Sequence, residues 1–323
     1  MVKNHDRLAR AGSAAGGVAL TAGLGAALAA LSTNVLETYG LALFVALPFC
    51  LGLLSALLYN ARQARTLRAS IGTGFLAAAL ASLVPIALAL DGAICVVMAL
   101  PLALPLAALG GWVGWLLQRQ RHGDVPALQS IGAVALLLPL LMGAEAGADR
   151  RPGVHPVTTS VVIDAPPEVV WRHVVSFPPL PRPHELAFRA GVAYPTSATM
   201  TGRGPGAVRR CRFTTGDFVE PITVWDRPRL LRFTVRSQPA PMRELSPWRT
   251  VHAPHLDGFL VSHRGQFRLH RLAGGRTRLV GTTWYENRMW PARYWRAWSD
   301  GIIHTIHRRV LEHVKRLSET RPG

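Results

Sequence analysis

Residues 161–171 read Val161-Val162-Ile163-Asp164-Ala165-Pro166-Pro167-Glu168-Val169-Val170-Trp171. A branched apolar run stops at Asp164, and two prolines follow with an acidic residue directly behind them. Proline presets φ for a first helical turn and gives up only an amide that has no intrahelical acceptor there. Glu168 suits the positive end of the helix dipole. A strand over residues 157–163 that runs into a helix lasting to about Ser176, with Asp164 as its cap, is therefore expected. Beyond Pro178-Pro179, apolar and polar residues alternate at 198–202, 208–214, 218–225, 230–237, 265–272 and 277–284. That period belongs to antiparallel strands. Pro205-Gly206, Asp226-Arg227-Pro228 and Gly274-Gly275 supply turns between them. Pro291 then opens a helix reaching about Ser318.

This order resembles the START-like or Bet v 1-like (SRPBCC) superfamily, which includes polyketide cyclase and lipid-transport type domains. The resemblance rests on residues 161–171 and on Thr282-Thr283-Trp284-Tyr285-Glu286 ahead of the final helix, and it covers residues 157–318. It implies an α+β helix-grip fold, in which a curved antiparallel sheet wraps the long C-terminal helix around an apolar cavity for a hydrophobic ligand. The superfamily shares no catalytic residue, so none is carried over. Residues 238–256 stand out as a Pro-rich insertion with the makings of a lid.

The terminal helix can be read without that likeness. At 100° per residue, Trp295, Trp298, Ile302, Ile306, Val310 and Leu317 share one face, with Asp300, His304, His307 and Leu311 opposite. The first face is expected on the sheet. Trp298 and Ile302, near its middle, are the leading ligand contacts. On the strands, Leu231, Phe233 and Val235 alternate with Arg232, Thr234 and Arg236, and Phe267 and Leu269 alternate with Gln266, Arg268 and His270. This makes Phe233, Phe267 and Leu269 inward candidates. Trp225 and Trp284 complete the ligand set.

Titratable residues point to little chemistry. Glu286 beside Tyr285 is the one catalytic candidate pair, and no second titratable partner is evident for it. His252, His255 and Asp257 lie in the insertion, and Asp300, His304 and His307 share a helix face. A Pro-rich loop and a solvated face account for both groups, so no metal and no cofactor are assigned. Cys50, Cys95 and Cys211 are too scattered for an intradomain disulfide or a cysteine-based zinc site. Arg203, Arg209, Arg210 and Arg212, then Arg293, Arg296, Arg308 and Arg309, make a basic surface. For a membrane-tethered domain the nearest polyanion is the lipid headgroup, so membrane lipids are the expected partner and nucleic acid is not.

The tether is read upstream. Charged residues make up only 17% of the 323 residues, hydrophobic ones 49%, and the mean hydropathy is +0.21. This excludes an ordinary soluble or disordered chain. The net charge of +18 is uneven: residues 1–149 hold 8 basic and 6 acidic groups, which leaves 28 and 12 for residues 150–323. Residues 11–31 and 39–58 carry no charge over 21 and 20 positions. Each is long enough to cross ~30 Å of hydrocarbon at ~1.5 Å per residue. Residues 71–90 and 93–117 form a second hairpin that turns near Asp91-Gly92, with Pro85, Pro101 and Pro105 inside it. Lys3, Arg7, Arg10, Arg62, Arg65, Arg68, Arg119 and Arg121 mark the cytoplasmic ends, so the N-terminus is cytoplasmic. A fifth apolar run, 131–144, extends to 127–148 if Gln129 and Glu145 sit at the interfaces. Five spans, the favoured count, put the C-terminal domain outside the cytoplasm, and four put it inside.

The reading is a multi-pass membrane protein: transmembrane helices over 1–149, a linker at 150–156, a START-like domain over 157–318 and a tail at 319–323. Its domain binds a hydrophobic small molecule, lipid or isoprenoid-like. The alternatives are a cyclase- or dehydratase-like enzyme acting through Tyr285 or Glu286, and a structural or regulatory protein with a filled core.

Overall fold

A computed structural model of the chain describes residues 2–61, 66–120, 127–148, 152–244 and 253–320. Arg62, Arg65, Arg121, Arg150, Arg151, His252 and residues 321–323 lie outside the described residues. The chain divides into two units. One comprises Met1–Arg150, Glu244–His255 and Met289–Pro291; the other comprises Arg151–Arg243, Leu256–Arg288 and Ala292–Gly323. Part of the insertion thus groups with the N-terminal helices.

The first unit holds α1 (Val2–Ala30), α2 (Leu47–Asn60), α3 (Leu67–Ala87), α4 (Ala93–Gln120) and α5 (Ala127–Gly147), with π-helical turns at Leu31–Val35 and Ala42–Ala46. Among the described residues, five segments are long and apolar enough to cross a membrane: Ala15–Val35, Ala42–Asn60, Leu67–Ala87, Ala93–Arg119 and Gln129–Gly147. Pro85, Pro101 and Pro105 lie within continuous helices. Size is sorted inside out. Ala42, Ala56, Ala77 and Ala107 are fully buried, while Phe75, Leu83, Val97, Leu136 and Leu140 point outward. That distribution suits a bundle surrounded by lipid, where helices associate by close packing and not by expulsion of apolar side chains from water. Gly52 shows how close the approach is, since a Cβ there would fall 1.9 Å from the Ala107 carbonyl oxygen. Glu145, near the end of α5, accepts the amides of Leu41 and Ala42 at 3.1 and 3.0 Å. It thereby satisfies two donors that the start of a helix leaves open.

The second unit is a seven-stranded antiparallel sheet with two main helices. β1 (His155–Ile163) leads into α6 (Pro167–Val175), and the short α7 (Leu186–Arg189) precedes β2 (Pro195–Thr201) and β3 (Val208–Phe213). β4 (Gly216–Asp226), β5 (Leu230–Thr234), β6 (Leu260–Arg271) and β7 (Thr277–Asn287) follow, and α8 (Ala292–Glu319) ends the unit. The sheet order is β1-β7-β6-β5-β4-β3-β2. The first strand therefore pairs with the last, and the meander curls around α8 in the helix-grip manner. Gly274 and Gly275 both take positive φ in the β6–β7 turn, where a side chain would be strained.

Two local expectations are corrected. Pro166, not Asp164, stands at the N-cap of α6, and no side chain caps it. Proline has no side-chain acceptor to offer as a cap, and Pro167 at the first helical position removes one amide that would lack an intrahelical partner. On α8, Leu311 is buried in the core with Val310 and Val314, while Trp298 is 38% exposed. A helix enclosed by a curled sheet is buried over a wider arc than one stripe, so a single-face reading places its margins wrongly.

Candidate functional site

β3 and β4 pair in the register Arg209↔Glu220 and Cys211↔Phe218. With a side-chain period of two, Arg209, Cys211 and Phe213 share the inner face of the sheet, and Arg210 and Arg212 face out. Arg209 and Glu220 form a direct ion pair with side chains only 2% and 8% exposed. The Arg209 guanidinium also lies over the rings of Phe177, Phe233 and Phe267, at 5.6, 5.8 and 5.5 Å from their centroids. Burial works against the Arg209 charge. The Glu220 carboxylate more than offsets it, so Arg209 sits above the ordinary arginine value and remains charged. Its Nε is buried and has no hydrogen-bond partner.

This pair forms part of the wall of a cavity of about 140 Å³ within the second unit. The apolar lining comes from Phe213 and Phe218, from Phe233 and Phe267, and from Ile302, Ile306 and Val310 of α8. Gly265 makes room for the Phe233 ring, because a Cβ there would approach Phe233 Cζ to 2.5 Å. Gln238 and Pro239 line the same space. Gln238 is held on β6 by a bond from its Nε2 to the Leu260 carbonyl (2.6 Å) and by the Ser262 amide donating to its Oε1 (2.8 Å).

Of the residues chosen from the sequence, Phe233, Phe267 and Ile302 line the cavity. The others do not. Leu269 is buried in the core, Trp225 packs edge-on against Trp171 at 5.6 Å, and the Trp284 ring is covered by Arg264 at 4.5 Å. Trp298 faces outward. Tyr285 is fully buried away from the cavity, and its hydroxyl donates to Asp300 Oδ1 at 2.6 Å. Glu286 pairs with Arg288 at 2.6 Å. Neither residue is among those that line the cavity. Asp300 is thereby taken from the histidines that share its helix. His304 and His307 both meet the Thr159 hydroxyl, at 2.8 and 3.1 Å.

The polar residues of the cavity were missed because Arg209 reads as one of several surface arginines. A signal was present: Arg209-Cys211-Phe213 and Phe218-Glu220-Ile222 are inward triplets on adjacent strands, and the hairpin at Thr214-Thr215-Gly216 sets Arg209 against Glu220.

Residues 154–315 match the family model described as polyketide cyclase / dehydrase and lipid transport. The chain belongs to this family. Among solved structures, the polyketide cyclase/dehydrase and lipid transport domain is similar to the ZhuI aromatase/cyclase from Streptomyces sp. R1128. The identity is 17%, with 52% of this chain and 94% of that chain covered, at a TM-score of 0.33. It is similar also to truncated norcoclaurine synthase from Thalictrum flavum, at 8% identity, 54% and 99% coverage and a TM-score of 0.35. No curated protein matches the chain.

One lining residue of this polyketide cyclase/dehydrase and lipid transport domain titrates far from its usual range. Burial, with His304 adding to it, pushes the His307 imidazole down to about 4. Unfolded, it takes up a proton near the ordinary ~6.5. As pH falls, the unfolded chain is therefore protonated first, and stability present above ~6.5 is lost toward 4, by up to about 3 kcal/mol. Urea unfolding of the full chain followed between pH 7 and 4.5 should show this loss, and His307→Gln should remove much of it. Identical pH profiles for the two proteins would refute the assignment.

Proposed function

We propose that the C-terminal unit binds a hydrophobic molecule, lipid or isoprenoid-like, which inserts an apolar group among the phenylalanines and presents a hydrogen-bond acceptor to Arg209. The observation that carries this reading is the cavity itself: aromatic and aliphatic walls with a buried, charged guanidinium whose Nε lacks a partner. Apolar pockets with a few placed polar groups are how such ligands are bound and oriented. A volume of about 140 Å³ suits a group about the size of one aromatic ring. The ligand therefore inserts one end, and its remainder lies outside.

Binding is favoured over catalysis by the state of the one lining histidine. His307 Nδ1 meets Thr159 at 3.1 Å and Nε2 meets Thr283 at 2.8 Å, so its accepting nitrogen is already engaged.

The same proposal places the chain in a bilayer through its five apolar segments. Five passes with Arg68 and Arg119 at the cytoplasmic ends carry the ligand-binding unit to the opposite side from the N-terminus.

Native mass spectrometry of the detergent-purified full chain tests the reading. We expect a retained lipid-sized adduct on the wild type, and Ile302→Trp, which fills the cavity from α8, should lower its occupancy at least tenfold. A wild type that carries no adduct and yields no lipid to organic extraction would overturn the proposal.

A further inference from the structure

Outside the cavity, the first unit contains a cluster that sequence spacing did not reveal. Asp91 lies in the α3–α4 connection, Cys95 in the first turn of α4, and Glu244 and His255 in the parts of the insertion that belong to this unit. One potential ligand atom from each lies within 4.8 Å of the others. Cys95 Sγ is 2.8 Å from Glu244 Oε1 and 2.8 Å from His255 Nε2, and these two are 3.0 Å apart. Cys95, Glu244 and His255 are all buried.

Hydrogen bonding accounts poorly for this triangle. One thiol hydrogen and one imidazole hydrogen cannot make three well-aligned bonds around three mutually close atoms, whereas three lone pairs turned on one cation satisfy all of them. The second Glu244 oxygen, Oε2, is buried with no hydrogen-bond partner, which is costly for a carboxylate unless a charge faces it. Among the described residues, the basic side chain that faces both carboxylates is His255 itself. A divalent ion seated among them would hold the thiol as its thiolate and offset that charge together with the two carboxylates.

The far side of the imidazole is also furnished. His255 Nδ1 faces Asp91 Oδ1 at 3.7 Å and the Tyr39 hydroxyl at 3.3 Å. A carboxylate on Nδ1 is the usual device for fixing the tautomer and orientation of a ligating histidine, leaving Nε2 free to bind metal. Asp91 is itself oriented by the Gly92 amide at 2.8 Å.

We propose that Cys95 Sγ, Glu244 Oε1 and His255 Nε2 bind Zn²⁺, with Asp91 and Tyr39 positioning His255. Thiolate, imidazole and carboxylate together select zinc over the hard cations. Zinc bonds of about 2.0–2.3 Å space tetrahedral ligand atoms about 3.3–3.8 Å apart, so the ion spreads the triangle by roughly half an ångström. Three protein ligands leave a fourth position for a water molecule or an anionic group. The site ties Glu244 and His255 of the insertion to the α3–α4 connection and the first turn of α4.

The test uses the full chain purified in detergent without chelators. Elemental analysis should find about one zinc per chain. After chelation, Co²⁺ should give tetrahedral visible bands together with a thiolate-to-cobalt charge-transfer band. Cys50→Ser/Cys211→Ser, which leaves Cys95 as the one cysteine, should keep that band, and Cys95→Ser should abolish it. The double variant keeps the test decisive if Cys95→Ser fails to fold. Asp91→Asn should weaken zinc affinity about 10- to 100-fold without changing the cobalt spectrum. A wild type that neither retains nor takes up zinc, or that binds cobalt with no thiolate band, overturns the proposal. Because these readouts need no lipid, they stand or fall separately from ligand binding in the C-terminal unit.

Discussion

Arg209→Ala is expected to destabilise the C-terminal unit by about 3–5 kcal/mol, because it leaves the Glu220 carboxylate buried without its counter-charge. The side chain carries more than a pair interaction. Its guanidinium is in contact range of three phenylalanine rings, and their packing loosens with it. Arg209→Lys should recover only part of the loss, since an ammonium keeps the charge but not the flat face that lies over the rings. Arg209→Met/Glu220→Leu removes both charges and should return stability to within about 1 kcal/mol of the wild type, because exchanging a buried pair for apolar residues of similar volume is often neutral. On the proposed binding mode the double variant loses the group that meets the ligand's acceptor, so stability and binding separate. Tryptophan-monitored urea unfolding of the four proteins compares their stabilities. An Arg209→Ala protein as stable as the wild type would sink the account of a buried, structurally required pair.

Gly52→Val should be comparably severe in the N-terminal unit. A Cβ at Gly52 would meet the Ala107 carbonyl oxygen at 1.9 Å, and one at Gly110 would meet the Phe49 carbonyl oxygen at 2.0 Å. In both cases the obstacle is backbone, which cannot turn aside as a flexible side chain can. α2 and α4 must then separate along their length, and the close packing between them is lost. We expect a cost of at least about 3 kcal/mol, at the upper end of overpacking effects, read as loss of the monodisperse peak in detergent chromatography. Gly132→Val is the control, as nothing lies within 4 Å of a Cβ there, and it should elute as the wild type does. Equal behaviour of Gly52→Val and Gly132→Val would remove the packing argument.

The strands were legible from their period, and the positions of β3 and β7 agree with the sequence runs to within a few residues. The apolar helices were legible from length and lack of charge. Strand phase also brought Phe233 and Phe267 to the cavity wall. What the pattern misjudged were side chains whose environment is set by curvature. Trp298 has the composition of a ligand contact, yet it is 38% exposed and does not line the cavity. Arg209 has the composition of a surface charge, yet its strand phase turns it inward against Glu220.

His255 makes the same point over a longer distance. Read along the chain, its neighbours were His252 and Asp257. Folded, it meets Tyr39, Asp91, Cys95 and Glu244. Local sequence by itself determined which segments are strands, which are apolar helices, and the order that places the chain in its family, because backbone period and chain composition act over a few residues at a time. Only the tertiary structure decided which charged groups leave water and which partners they find there. Those partners lie up to 216 positions apart, and folding alone brings such residues to one point.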